Sequence, residues 1–230
     1  MDNRQLLTAF AAVQQLGSIT RFSKDTIVNK ESVLEHTGFV ALFSYIMASH
    51  LDDPSLKWDV LMCRAVVHDL DEIYVGDVAR ITKYATPTMT QEFKQLEQLA
   101  IRKLNEDLYM PNFRIGNDWL NAKADDLEGT IIRAADMTAV VYKAWQEIAL
   151  SGNSSVVRIA LELSANVIPA FIDRINRSCL LSSENKSFFL IFADNALSLC
   201  YQLAEKCNAS IADTLVVATL TKFNMTEGKS

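Results

Sequence analysis

Apolar residues recur along most of this chain at intervals of three and four, and little interrupts them. That spacing stripes one face of a helix; a strand would need strict alternation. With seven glycines and four prolines in 230 residues, places to turn are few. Half of the residues are hydrophobic, enough to close a core around long helices. The pattern predicts an all-α protein, a single helical bundle over 1–230, with no internal repeat, linker or low-complexity run.

The punctuation divides the chain. A first helix is expected over 3–16, stopped at Gly17, followed by an irregular segment over 18–32 that holds Arg21, Phe22, Lys24 and Lys30. A second spans 33–51 with Ser32 as N-cap. A third starts near Ser55 or Leu56, with Pro54 in its first turn, and runs to His68-Asp69. Leu70 to Thr86 reads as short helix and loop turning at Gly76, and 88–107 as a long charged helix. Pro111-Asn112 and Gly116-Asn117 read as loop. Helices over 127–150, 154–177, 184–206 and 209–223 follow, the second kinked or split by Pro169. From residue 154 onward the apolar faces are wide (Ile159, Leu163, Phe171, Phe189, Ile191, Phe192), and their excess predicts a self-association surface.

Charge and composition exclude some roles. At a net charge of -6 no basic stripe exists to track nucleic-acid phosphates, although a metal and a few local cations can hold a small anion. Cys63, Cys179, Cys200 and Cys207 show no CxxC spacing; Cys63 and Cys200, in apolar helical surroundings, read as buried reduced thiols. The N-terminus has no signal pattern and no apolar run approaches the roughly 20 residues of a bilayer span. A cytoplasmic protein without a membrane partner is expected.

The chemistry lies where polar residues break greasy helices. Two of the three histidines, His36 and His68, sit in such places, and His68 is followed by Asp69, Asp71 and Glu72. Three carboxylates in four residues repel one another unless a cation, solvent or protonation relieves them. A solvated acidic helix end is the bland reading, but it leaves His68 and the upstream Glu35-His36 unexplained. His50, beside the C-terminus of the second helix, suits the helix dipole and reads as structural. Asp136 stands in the apolar run Ile131 to Val141, where a buried carboxylate needs either a partner, for which Arg133 is the nearest candidate, or a metal. His36, His68, Asp69 and Asp136 would leave coordination positions open, as a catalytic metal requires. Glu72, one turn beyond, could orient or deprotonate water.

His36, then His68-Asp69, then Asp136 resemble the H…HD…D pattern of HD-domain metal phosphohydrolases. More narrowly, Arg21-Phe22, Glu35-His36, His68-Asp69, Glu72, Gly76-Asp77 and Lys83-Tyr84 resemble the bacterial 5'-deoxynucleotidases (YfbR-like) of that superfamily, across about 15–150. The resemblance implies an HD-domain bundle in which His36, His68, Asp69 and Asp136 ligate one divalent ion. Cobalt or manganese comes first, with copper, magnesium and zinc as further candidates. Glu72 would activate water, Arg21 hold the substrate phosphate, Asp77 accept from the sugar 3'-hydroxyl, and Phe22 pack on the deoxyribose. Two departures stand out: Phe22 replaces a Trp, and Val78-Ala79-Arg80 replaces a Pro-Thr turn. Related phage enzymes hydrolyse deoxynucleoside triphosphates at a similar site, so Arg80, Lys83, Lys24 and Lys30 are candidates for a longer phosphate tail, with ordinary surface charge as the alternative reading.

Three functions follow, in order. The first is hydrolysis of a deoxynucleoside 5'-monophosphate to deoxynucleoside and phosphate. The second is a deoxynucleoside triphosphate triphosphohydrolase that releases triphosphate, and the third an inactive nucleotide sensor. The complete ligand set with Glu72 favours an enzyme. The expected partners are a small deoxynucleotide and further copies of the chain, two or more, with no nucleic acid.

Overall fold

The structure, a computed structural model, describes residues 2–109 and 114–209. The loop expected at Pro111-Asn112 and, beyond residue 209, the helix expected over 209–223 therefore lie outside the described residues. Within them the protein is all-α, with a lone antiparallel bridge between Thr20 and Ser32. The helices are α1 (Asn3–Ser18), α2 (Val33–Leu51), α3 (Trp58–Val67), α4 (Glu72–Val75), α5 (Arg80–Lys83) and α6 (Pro87–Asp107). After them come α7 (Arg114–Leu120), α8 (Leu127–Trp145), α9 (Val157–Glu162), α10 (Ile168–Arg177) and α11 (Ser183–Lys206).

Local chemistry explains most boundaries. Ser32 and Glu35 form a reciprocal capping box that starts α2. Asp126 accepts from the Gly129 N–H to start α8, and a Cβ on Gly129 would stand 2.3 Å from the Ala124 carbonyl oxygen. Only a glycine lets α8 begin so close to the preceding turn. Several expectations are corrected. Gly17 lies inside α1, which ends at Ser18. The third helix begins at Trp58 instead of Ser55 or Leu56, because Asp53 accepts from the Ser55 N–H and hydroxyl and holds that stretch in a turn. Gly116 and Asn117 are helical, within α7.

The 127–150 and 154–177 stretches each contain a wider π turn, at Gln146–Leu150 and at Leu163–Val167. The second precedes Pro169. A proline ring in regular helix would strike the carbonyl four residues back, and the wider turn relieves that clash without ending the helix. Ser154–Arg177 and Ser183–Lys206 are each 24 residues long and apolar enough, by length and composition, to cross a membrane. That corrects the absence of any span-length apolar segment, since charged residues interrupt these runs without dominating them.

α2 and α8 run together through the middle, with α3 against both. α9, α10 and α11 close one side, where Ile159, Ile168, Phe171, Ile175, Phe189 and Cys200 are buried. A smaller core under α1, α4 and α6 is built from Leu16, Val33, Ile73, Ile101 and Leu104. Of the apolar side chains expected to be in excess after residue 154, Ile159, Leu163, Phe171 and Phe189 are buried, Phe192 is half-buried and Ile191 stays exposed. Large exposed apolar side chains concentrate instead on α1 (Leu7, Phe10, Val13) and α2 (Leu42, Tyr45, Ile46). All four cysteines are free; Cys200 is buried as expected, but Cys63 is only half-buried.

Candidate metal centre and active-site cavity

His36 on α2 and His68 just past the end of α3 face each other across the α2–α3 contact, both buried. His68 donates through Nδ1 to the Ala65 carbonyl oxygen at 2.8 Å, which leaves Nε2 with its lone pair. His36 Nε2 lies 3.4 Å from His68 Nε2. Asp69 Oδ2 completes a tight group, 3.3 Å from His36 Nε2 and 3.1 Å from His68 Nε2. Neighbouring ligands on an ion with bonds near 2.1 Å are about 3.0 to 3.4 Å apart, so the spacing fits one metal ion. Two imidazole nitrogens packed against a carboxylate at this range call for positive charge among them, a proton or a metal ion. The charge balance agrees. Burial and Arg21 oppose a cation on His36, yet Asp136, Asp69 and Glu31 overcome both and raise its pKa to about 10.

Asp136, on α8, joins through its Oδ1, 3.2 Å from His36 Nε2. Its other oxygen accepts from Lys123 Nζ at 2.5 Å, and the same ammonium stands 3.8 Å from Asp69 Oδ1. Burial opposes the charge on Asp136 and Asp69, but Lys123 and the histidines hold both carboxyls well below the usual range. Arg133, the ion-pair partner weighed above for Asp136, makes no ion pair with it; Lys123 does. Lys123 was not legible as a site residue, because it lies in the short turn Asn121–Ala124, with no periodicity to mark it.

Beside this group opens a cavity of about 560 Å³, lined by eight of the ten expected site residues: Arg21, Phe22, Asp69, Glu72, Asp77, Arg80, Lys83 and Asp136. The two histidines lie behind its wall. Glu72 is buried, and its Oε2 has no hydrogen-bond partner. Burial, then Asp69 and Asp77, push its carboxyl up to about 9. Arg21 has Nε and Nη1 buried without a hydrogen bond, with Glu31 Oε1 3.6 Å from Nη1. An unengaged guanidinium fork and an unengaged carboxyl oxygen on one cavity are donors and acceptors without partners.

The loop over 19–32 holds Arg21 and Phe22 in place. Phe22 has φ 55°, a left-handed conformation that a bulky residue adopts only when held. Asp77 holds it, accepting from the Phe22 N–H at 2.8 Å through Oδ2. This role was not foreseen for Asp77. Farther along the loop, Glu147 in the first π turn accepts from the N–H groups of Val28 and Asn29, each at 2.8 Å, and from Asn153 Nδ2 at 2.7 Å. Lys143 donates to the Asn29 carbonyl oxygen. Glu147 is fully buried, and these donors outweigh burial to hold its carboxyl at about 2. Arg80 and Lys83 do reach the cavity, but Arg80 lies 3.9 Å from Glu162 and Lys83 donates to Glu97 at 3.0 Å. Trp119 Nε1 donates to Asp71 at 2.9 Å; burial and Asp69 raise that carboxyl to about 6.

Known proteins resemble this chain in sequence and in fold. The chain is similar to the 5'-deoxynucleotidase yfbR of Photorhabdus temperata, 28% identical over 151 residues, which are 63% of this chain and 75% of that protein. A 5'-deoxynucleotidase of Pasteurella multocida is 32% identical over 94 residues, 40% of this chain and 48% of the relative. The fold is that of an HD-domain phosphohydrolase from Listeria innocua, with a TM-score of 0.65 at 21% identity, covering 88% of this chain and 98% of the other. A Pyrococcus horikoshii protein aligns with a TM-score of 0.59 at 19% identity, over 84% of this chain and 99% of that one. Residues 8–171 match the model of the YfbR-like 5'-deoxynucleotidases, which is most of the chain. The protein is an enzyme with the fold of the HD-domain phosphohydrolases and belongs to the YfbR-like 5'-deoxynucleotidase family.

Proposed function

We propose that the protein hydrolyses deoxynucleoside 5'-monophosphates to deoxynucleoside and inorganic phosphate, as one HD-type domain over 1–230. The observation that carries this reading is the His36, His68 and Asp69 group opening onto a cavity that Arg21 and Glu72 line. A divalent ion held there with Asp136, cobalt or manganese first among the candidates, supplies positive charge at the phosphoryl group and lowers the pKa of water. Arg21 binds the phosphate through its unengaged fork, where a guanidinium matches two oxygens at once. Arg21 and Lys83, with the charge the ion would add, favour the Glu72 carboxylate against burial; Glu72 would take the proton of the attacking water as oxygen bonds to phosphorus and the P–O5' bond breaks, and return it to the 5'-oxygen leaving in line. Asp77 has one oxygen committed to Phe22 and offers the second to the sugar 3'-hydroxyl. Phe22 packs on the deoxyribose and crowds the space of a 2'-hydroxyl. Lys123 holds Asp69 and Asp136 ionised.

The triphosphohydrolase remains the second reading, and the one observation in its favour is the number of cations on the cavity, eight against six carboxylates. A cytoplasmic location, assembly of two or more copies, and freedom from nucleic-acid and membrane partners belong to the same proposal. The test is Glu72→Ala. It is expected to lower turnover of deoxynucleoside monophosphates by roughly two to four orders of magnitude while metal and nucleotide still bind. Full activity in that variant would contradict the assignment.

A further inference from the structure

Of the five arginines on the cavity, Arg21, Arg80, Arg158 and Arg174 stand 3.6, 3.9, 2.8 and 2.9 Å from carboxylates. Arg133 is the exception among the described residues. It pairs with no carboxylate, and its Nε is buried without a hydrogen bond. Arg174 Nη1 is buried too; Asp125, from an exposed position, approaches it at an angle that makes no hydrogen bond. The two guanidiniums lie close enough to oppose each other. Burial, and after it Arg174, push Arg133 down to about 10. Two like charges kept together, with the exposed Asp125 as one counter-charge and Asp136 already paired to Lys123, fit a ligand with several negative charges. Arg133 is three residues before Asp136 on α8, so it shares the helix face that meets the metal centre. Of the cations first considered for a phosphate tail, Arg80 lies 3.9 Å from Glu162, Lys83 pairs with Glu97 and Lys24 donates to the Thr82 hydroxyl.

We propose that Arg133 and Arg174 form a second anion subsite, which takes the outer phosphates of a nucleoside polyphosphate alongside the phosphate that Arg21 holds. The inference rests on the deoxynucleotide reading of the cavity and adds the chemistry of a longer phosphate chain. It gives the cavity a preference for polyphosphates over single phosphates, whether the chain belongs to a substrate or to an inhibitor of monophosphate hydrolysis.

The test is calorimetric titration of the metal-loaded full chain with inorganic phosphate and with tripolyphosphate. Tripolyphosphate is expected to bind at least about tenfold more tightly, and Arg133→Gln or Arg174→Gln to shrink that ratio at least about fivefold. Arg133→Lys keeps the charge and loses the fork, so it is expected to shrink the ratio by less; it carries the comparison if the glutamine variants fail to fold by circular dichroism. A ratio near one in the unaltered protein, or one unchanged in folded variants, overturns the subsite. Nucleotide arms separate the sources. Phosphate released from monophosphates and inhibited by tripolyphosphate makes the subsite regulatory, whereas triphosphate released from deoxynucleoside triphosphates makes it part of the substrate site. No turnover of any nucleotide with the tripolyphosphate preference intact would sink the deoxynucleotide reading and leave the subsite standing.

Discussion

Asp136 does two jobs with two oxygens, one toward His36 and one toward Lys123. If it completes the metal's ligand set, Asp136→Asn removes an anionic ligand and leaves Lys123 facing a neutral amide. Metal content after dialysis is expected to fall at least about tenfold. Unchanged stoichiometry would confine Asp136 to pairing with Lys123. Phe22 can be read the same way. Its strained backbone is held by Asp77, and its ring lines the cavity beside Arg21, whose guanidinium lies 5.2 Å from the ring centre. Phe22→Ala is expected to narrow the ratio of deoxyribonucleotide to ribonucleotide kcat/KM by about an order of magnitude. An unaltered ratio would move sugar recognition to another residue. The motif residues His36, His68, Asp69 and Glu72 were legible in the sequence, because each is a polar group in an apolar run that needs a reason to be there. Lys123 and Arg174 were not legible. One sits in a turn and the other on a helix whose neighbour is chosen by tertiary packing alone.

Among the elements, the first π turn matters most to the site. It carries Glu147, which gathers loop N–H groups and so fixes the segment that bears Arg21 and Phe22. From sequence alone 127–150 reads as one regular helix, since apolar spacing does not distinguish an α from a π turn. A carboxyl held at about 2 instead of 4.5 contributes roughly 3 kcal/mol at neutral pH. Because the folded value is the lower one, that contribution is complete above about pH 4.5 and disappears as pH falls toward about 2. Glu147→Gln is thus expected to be less stable than the parent at pH 7 by urea unfolding, with the gap closing as pH drops from 5 to 3. A gap independent of pH would mean that the buried side chain acts by packing and not by charge.

At the scale of the whole molecule, helical periodicity predicted the fold class well, because a chain striped at intervals of three and four has only helix packing with which to bury its face. Apolar surface stays outside both where it was expected, at Ile191, and where it was not, on α1 and α2. The helices after 154 bury Phe171, Phe189 and Ile168 against α8 and each other, while α1 and α2 keep Leu7, Phe10 and Leu42 at the surface. Self-association, if it uses apolar surface, has α1 and α2 to draw on. The acidic net charge of -6 coexists with a cavity lined by eight cationic side chains, so the local charge there differs from that of the chain as a whole.

The most direct test of the central claim is product analysis, by phosphate assay and anion chromatography, with manganese or cobalt and every deoxynucleoside mono- and triphosphate. The account predicts inorganic phosphate from the monophosphates, abolished by a chelator and restored by the ion. Triphosphate released from the triphosphates, with the monophosphates untouched, would replace the monophosphatase by the triphosphohydrolase. Silence across the panel from metal-loaded protein would contradict the account altogether.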